Sequence, residues 1–348
     1  MKKLLLLLMM MLPPIVASAF SGVVEIDGIK YEISTKEQTA NVTGPSSIDI
    51  AGALIIPSSI EYEGKTCYVK SVGGFTSCTG ITSVTISEGI EIINYNAFKN
   101  CTNLESIILG KSVKEVGRSA FDGTAWYNSQ EDGLLCLGHV AIQYKGDMTK
   151  DAEITIKEGI TIIANSCFSG CNNLKRIHFP ESLISIGQYS FSECTSLTTV
   201  SLHNVEVHYN AFRKCTSLKA VSLDDVKFVP NIVISGTMQI QDADFFSGSN
   251  SIDMVEINCK EIDDWFREKP LITKVTLGDK VEVINPGAFN GCTGIKQIEF
   301  PNSVKYLSGF SGCTGIASIS IPASVERAGE YNQEIKGVTN VEIIPVSA

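Results

Sequence analysis

Histidine and tryptophan are scarce in this chain, with four and two among 348 residues, so an acid–base or metal-bound site has little to draw on. Aromatic residues make up 8% and charged residues 19%, the latter below the globular norm of about a quarter. Cations are also short: 28 Lys and Arg face 38 Asp and Glu, a net charge of −10. A surface of that sign repels phosphate backbones, which excludes nucleic acid as a partner class. No Gly-rich phosphate loop, Gly-x-Ser-x-Gly elbow or His-Glu-x-x-His helix occurs, so neither a cofactor nor an enzymatic activity is expected. Long apolar runs are missing too, except for Leu4 to Leu12, which Pro13-Pro14 cuts short of a bilayer span. Lys2 and Lys3 precede that run and Ala17-Ser18-Ala19 follows it, which marks residues 1–19 as a signal peptide cleaved before Phe20. The expected location is therefore secreted, cell-surface or periplasmic, with no membrane span after cleavage.

Apolar side chains, in contrast, are plentiful at 44%, and they repeat. Phe-x-x-Cys occurs at Phe75/Cys78, Phe98/Cys101, Phe168/Cys171, Phe191/Cys194, Phe212/Cys215, Phe289/Cys292 and Phe310/Cys313. Each cysteine is followed by Thr or Asn, any residue, then Leu or Ile, and an alternating apolar stretch such as Leu197, Val200, Leu202. The cysteines lie 23 residues apart from Cys78 to Cys101 and 21 apart from Cys194 to Cys215. Phe121 with Thr124 and Phe246 with Ser249 are altered copies. The segment from Trp126 to Asp151 has the look of an inserted hairpin, and residues 229–270 are the irregular part.

The period-two alternation means a short strand with one face buried. A second apolar pair stands at fixed distance before each Phe: Ile93, Val116, Ile163, Ile186 and Ile284 precede it by five residues, and Val113, Ile160, Leu183 and Val281 by eight. Each unit thus carries two extended stretches and a tight turn bearing the Phe. One such coil cannot bury its own apolar side, whereas stacked coils share a continuous core. The expected fold is a β-rich solenoid of 21–23-residue coils with short parallel strands, roughly twelve coils forming a rod about 60 Å long at about 4.8 Å per coil. Phe98, Phe168, Phe191, Phe212, Phe289 and Phe310 then form one buried structural column, and Cys101, Cys171, Cys194, Cys215, Cys292 and Cys313 a second, of small packed hydrophobes. In-register stacking keeps the cysteine Cβ vectors parallel, which favours reduced thiols over disulfides in spite of the export signal. Cys67, Cys136, Cys167 and Cys259 fall outside that column.

The unit from Cys171 through Leu174, Ile177, Phe179, Leu183, Ile186 and Phe191 to Cys194 resembles the BspA-like leucine-rich repeat. Asp27-Gly28-Ile29-Lys30-Tyr31 and Ile55-Ile56-Pro57-Ser58 resemble that family's N-terminal cap. The resemblance implies a right-handed solenoid at residues 71–348 behind a β cap at 20–70. It also implies adhesion or protein binding, with host extracellular-matrix proteins as candidate partners, and it implies no catalysis.

Functional candidates follow from the outward strand positions. Arg176, His178, Thr199, Ser201, Lys274, Thr276, Gln297 and Glu299 are expected on a ribbon of mostly small polar groups suited to partner binding by a monomer. Trp126 and Trp265 either plug gaps between coils or serve as aromatic contacts to a glycan, the alternative partner class. His203 and His208 lack a zinc spacing and are expected at the surface. The acidic pairs Asp224-Asp225, Asp263-Asp264 and Asp242 with Asp244 are expected as solvated loops, with hydrolysis or weak calcium binding as remote alternatives.

Overall fold

The computed structural model describes residues 19–229, 232–233, 239–240, 245–328 and 340–344. The segment read as a signal peptide lies outside them apart from Ala19, and so do Asp242 and Asp244. The described chain is a β-solenoid of about ten turns. This is fewer than the twelve anticipated, because the hairpin region and the stretch between Phe212 and Phe246 take more residues per turn.

Two sets of parallel strands run along the rod. The longer strands include Gly52–Ile56, Ile81–Ile86 and Ser106–Leu109, then Ala152–Thr155 and Leu174–His178. Beyond them come Thr199–His203, Ala220–Asp224, Met254–Asn258 and Lys274–Leu277. The second set pairs mostly two- or three-residue strands, such as Ile162–Ile163, Ser185–Ile186 and Glu206–His208. At the N-terminal end Ser21–Ile26, Ile29–Ser34 and Thr39–Pro45 form an antiparallel meander, whose last strand pairs in parallel with Lys65–Val72. That meander occupies the edge the stack would otherwise expose.

The Phe turn shows why the repeat is spelled as it is. Backbone φ is positive two residues before the Phe, at Asn96, Ser119, Ser166, Tyr189 and Asn210, and again two residues after it, at Ser77, Asn100, Glu193 and Lys214. Left-handed backbone favours Gly, Asn and short polar residues, which accounts for the polar letters around an apolar centre. The Phe rings stack face to face: Phe75, Phe98 and Phe121 form one run, and Phe168, Phe191, Phe212, Phe246, Phe266, Phe289 and Phe310 a second. Centroids lie 5.0 Å apart for Phe168 and Phe191 and 5.2 Å apart for Phe191 and Phe212. Ile93, Val116, Ile163, Ile186 and Ile284 are all buried beside them.

The cysteine column is more than small packing. Cys101 Sγ donates to the carbonyl of Phe75 at 3.0 Å, Cys194 to Phe168 at 3.1 Å, Cys215 to Phe191 at 3.2 Å, and Cys292 and Cys313 to Phe266 and Phe289 at 3.0 Å. Each thiol therefore ties its turn to the Phe carbonyl of the preceding coil. Ser249 does the same with its hydroxyl, donating to Phe212 O at 2.9 Å and accepting from Cys215 N at 2.9 Å. All eleven cysteines are free thiols.

The aromatic column is interrupted once. Thr124 takes the cysteine position after Phe121, and its hydroxyl accepts from Tyr127 N at 3.0 Å, capping the short helix Ala125–Ser129. The chain then forms the antiparallel hairpin Gly133–Leu137 and Val140–Lys145, whose second strand rejoins the stack in parallel with Ile162–Ile163. Tyr144 stands in for the missing Phe, tilted against Phe168 at 6.2 Å. The buried core divides at this coil: Val140 and Ile142 pack toward the N-terminal cluster, Ala141 and Ile163 toward the C-terminal one.

Candidate binding face

Strand register sets the side chains of the longer strands side by side. Glu153 pairs with Arg176 and Thr155 with His178, Thr199 with Ala220 and Ser201 with Ser222, then Met254 with Lys274 and Glu256 with Thr276. Because successive strand residues alternate faces, these positions all point outward while Ile177, Val200, Leu202, Val221 and Val255 are buried. Arg176, His178 and Thr199 are exposed on this face, with Ser201 beside them.

Glu153, absent from the sequence-based candidates, changes the electrostatics. Its carboxylate bonds His178 Nε2 at 2.7 Å and lies 3.7 Å from Arg176 Nη1. The hydrogen bond from His178, and then the charge of Arg176, hold the Glu153 carboxyl below its ordinary range. Arg176, expected as a contact residue of the ribbon, therefore faces an opposite charge on the neighbouring strand. Lys274 forms no ion pair among the described residues, and with Thr276, Gln297 and Glu299 it lines a groove of about 440 Å³. The groove exists because the parallel ladder ends at Lys274–Leu277, and residues 295–300 run alongside without strand pairing. Four of the eight expected face residues are thus brought together.

At the margin of the face, Asp224 is not a loosely solvated acid. Lys280 Nζ bonds it at 2.9 Å, Asn258 Nδ2 at 2.8 Å and His203 Nδ1 at 2.7 Å, and Lys280 also reaches Asp225 at 2.5 Å. The Lys280 hydrogen bond, followed by those of Asn258 and His203, lowers the Asp224 carboxyl below its ordinary value. His203 is therefore a hydrogen-bond partner of Asp224, and no group of three metal-ligating side chains occurs among the described residues.

The tryptophans do not form a second site. Trp265 is only 3% exposed and lies 4.5 Å from the Phe228 ring, so it fills the core where the irregular stretch packs. That corrects its reading as an aromatic contact. Trp126 is half-buried with its ring edge against Phe121, at 6.1 Å, where the Phe column breaks.

His208 is half-buried within the shorter ladder instead of standing at the surface. Loss of water around its ring lowers its pKa, and Glu115 and Glu206 oppose that only in part, with Lys227 adding to the depression. Sign follows from linkage: the unfolded chain takes up a proton near pH 6.5 while the folded ring resists it, so stability present above that pH is lost as pH falls. We expect the melting temperature to drop between about pH 7.5 and about pH 5.5, and His208→Gln to flatten that drop. Differential scanning fluorimetry across that range checks it. The lowered carboxyls Glu91, Glu193 and Glu282 act in a separate window, below the ordinary carboxylate pKa.

Parallel ladders, one stacked aromatic column and an extended polar face together define a repeat scaffold of the leucine-rich type. The chain belongs to the BspA type leucine-rich repeat family: six copies of that family's repeat region match across residues 71–129, 147–262 and 260–345. Among solved structures it is similar to a leucine-rich repeat protein from Bacteroides ovatus (21% identity, 92% of this chain and 99% of that one, TM-score 0.33). It is also similar to a leucine-rich cell surface protein from Faecalibacterium prausnitzii (19%, 94% and 95%, TM-score 0.32). A leucine-rich repeat protein from Eubacterium ventriosum is a third (17%, 91% and 99%, TM-score 0.46). No curated protein matches the chain. No helix among the described residues is long and apolar enough to cross a membrane.

Proposed function

We propose that this chain is an exported, monomeric, non-enzymatic scaffold that binds an extracellular protein through the strand face. The contact residues are Arg176, His178, Thr199, Ser201, Lys274, Thr276, Gln297 and Glu299, and a host matrix protein is the partner class to try first. The observation that supports this reading most is the groove at Lys274, Thr276, Gln297 and Glu299. There an unpaired cation, an acid, an amide and a hydroxyl converge on a solvent-filled opening in an otherwise regular sheet. Membership of a repeat family built to present such faces supports it further.

Immobilised matrix proteins titrated with the mature chain test the reading. Saturable binding that survives chelator is expected, and Lys274→Glu should weaken it by about tenfold through lost charge complementarity. No binding across the panel, or binding indifferent to Lys274→Glu, contradicts the proposal.

A further inference from the structure

A second opening lies on the turn side of the rod, away from the strand face, and the sequence repeat gives no hint of it. The hairpin coil makes no Phe turn. Its strand runs on past Ala141 to Lys145, and Asn165 N–H reaches beyond it to the carbonyl of Val116 at 2.9 Å. A cleft of about 670 Å³ results, within the range of small-molecule sites, running along the turns that carry Tyr95, Arg118, Asn165 and Gln188.

Its lining is selective. Tyr95 is 65% exposed and Tyr189 36% exposed, so two aromatic rings stand in water at one opening. Planar polar groups lie between them: Asn165 donates to Glu115 Oε1 at 2.8 Å and accepts from Gln188 N at 2.8 Å, and exposed Arg118 is in no ion pair among the described residues. Tyr189 is also held at a cost. It has φ 55° where the other turns place Asn96, Ser119, Ser166 and Asn210, a left-handed backbone that disfavours an aromatic residue. Tyr209 props its ring edge-on at 5.8 Å, and Asn210 Nδ2 donates to its hydroxyl at 3.4 Å. Nothing in the packing of the Phe column requires a tyrosine there.

We propose that this cleft binds a neutral polysaccharide chain. Aromatic faces suit the C–H faces of sugar rings, and planar amide, guanidinium and carboxylate groups suit vicinal hydroxyls. Glu115 on the wall, paired with no cation among the described residues, disfavours an anionic polymer, while Glu193 is already paired with Lys214 and Arg213, and the polar lining disfavours a lipid.

Calorimetric titration of the full mature chain with soluble neutral glucan, mannan, xylan and galactan, and with a sulfated polysaccharide, tests the site. At least one neutral polymer is expected to bind, with affinity reduced about tenfold or more in Tyr95→Ala and in Tyr189→Asn. Tyr189→Asn should melt at or above the wild-type temperature, because asparagine suits the backbone, so its loss of binding is not a loss of fold. Lys274→Glu, on the strand face, should leave binding unchanged, which separates this cleft from the protein-binding reading. Absence of binding to every neutral polymer, binding only to the sulfated one, or affinities untouched by both tyrosine variants would overturn the proposal.

Discussion

Phe191→Ala should destabilise the solenoid by about 3–5 kcal/mol, the cost of truncating a fully buried aromatic whose surroundings cannot close over the void. Phe191 is 0% exposed and sits between Phe168 and Phe212, with Phe179 packed edge-on at 5.8 Å. Its turn backbone is also fixed from both sides: Phe168 N donates to Ser190 O, and Phe191 N to Ala211 O. The two neighbouring coils therefore cannot slide inward to fill the space. Because repeat stability is a sum of coil and interface terms, the deletion weakens both interfaces of its coil together. Chemical denaturation followed by circular dichroism measures the effect. Ser201→Ala on the strand face, as the control, should stay within about 0.5 kcal/mol of wild type.

Cys194→Leu should cost about 1–3 kcal/mol or more, whereas Cys194→Ser should fall within about 1 kcal/mol of wild type. The Cys194 side chain fills a fully buried position and gives Phe168 O the second of its two hydrogen bonds, the first coming from Cys171 N at 3.0 Å. Leucine both overfills the turn and removes the donor. Serine keeps a donor of similar size, as Ser249 already does two coils further on. If the column were only apolar filling, the order would reverse and leucine would be tolerated better than serine. Denaturation midpoints of the two variants decide between these orders.

These two columns also mark how far the fold was legible from the sequence. Phe98, Phe191 and Phe289 announce themselves because a fixed turn demands the same residue at each pass. Phe266 does not: buried Lys269 stands where its cysteine would be, with Pro270 next, so no Phe-x-x-Cys marks it. The thiols' donor role was hidden because a small hydrophobe and a weak donor leave the same trace in a sequence. The replacements Thr124 and Ser249, both hydroxyls, were the available signal. Outward positions such as Thr199 and Lys274 follow from alternation alone. Glu153 was missed because its strand follows the hairpin without a Phe-x-x-Cys ahead of it. The tyrosine cleft depends on a turn that is skipped, and a missing turn has no motif.

The central claim is that the aromatic and thiol columns serve the stack and hold no reactive group. Burial pushes the thiol pKa up to about 11 at Cys101 and Cys313 and to about 12 at Cys215 and Cys292, so thiolate is scarce at neutral pH. Pulsed alkylation of the native chain, read site by site by mass spectrometry, tests this most directly. Label should reach Cys136 first, together with Cys171, the column thiol that the structure leaves only partly buried, and Cys101, Cys194, Cys215, Cys292 and Cys313 only after denaturant unfolds the rod. Rapid native labelling of those five, or their recovery as disulfide pairs, would contradict the account.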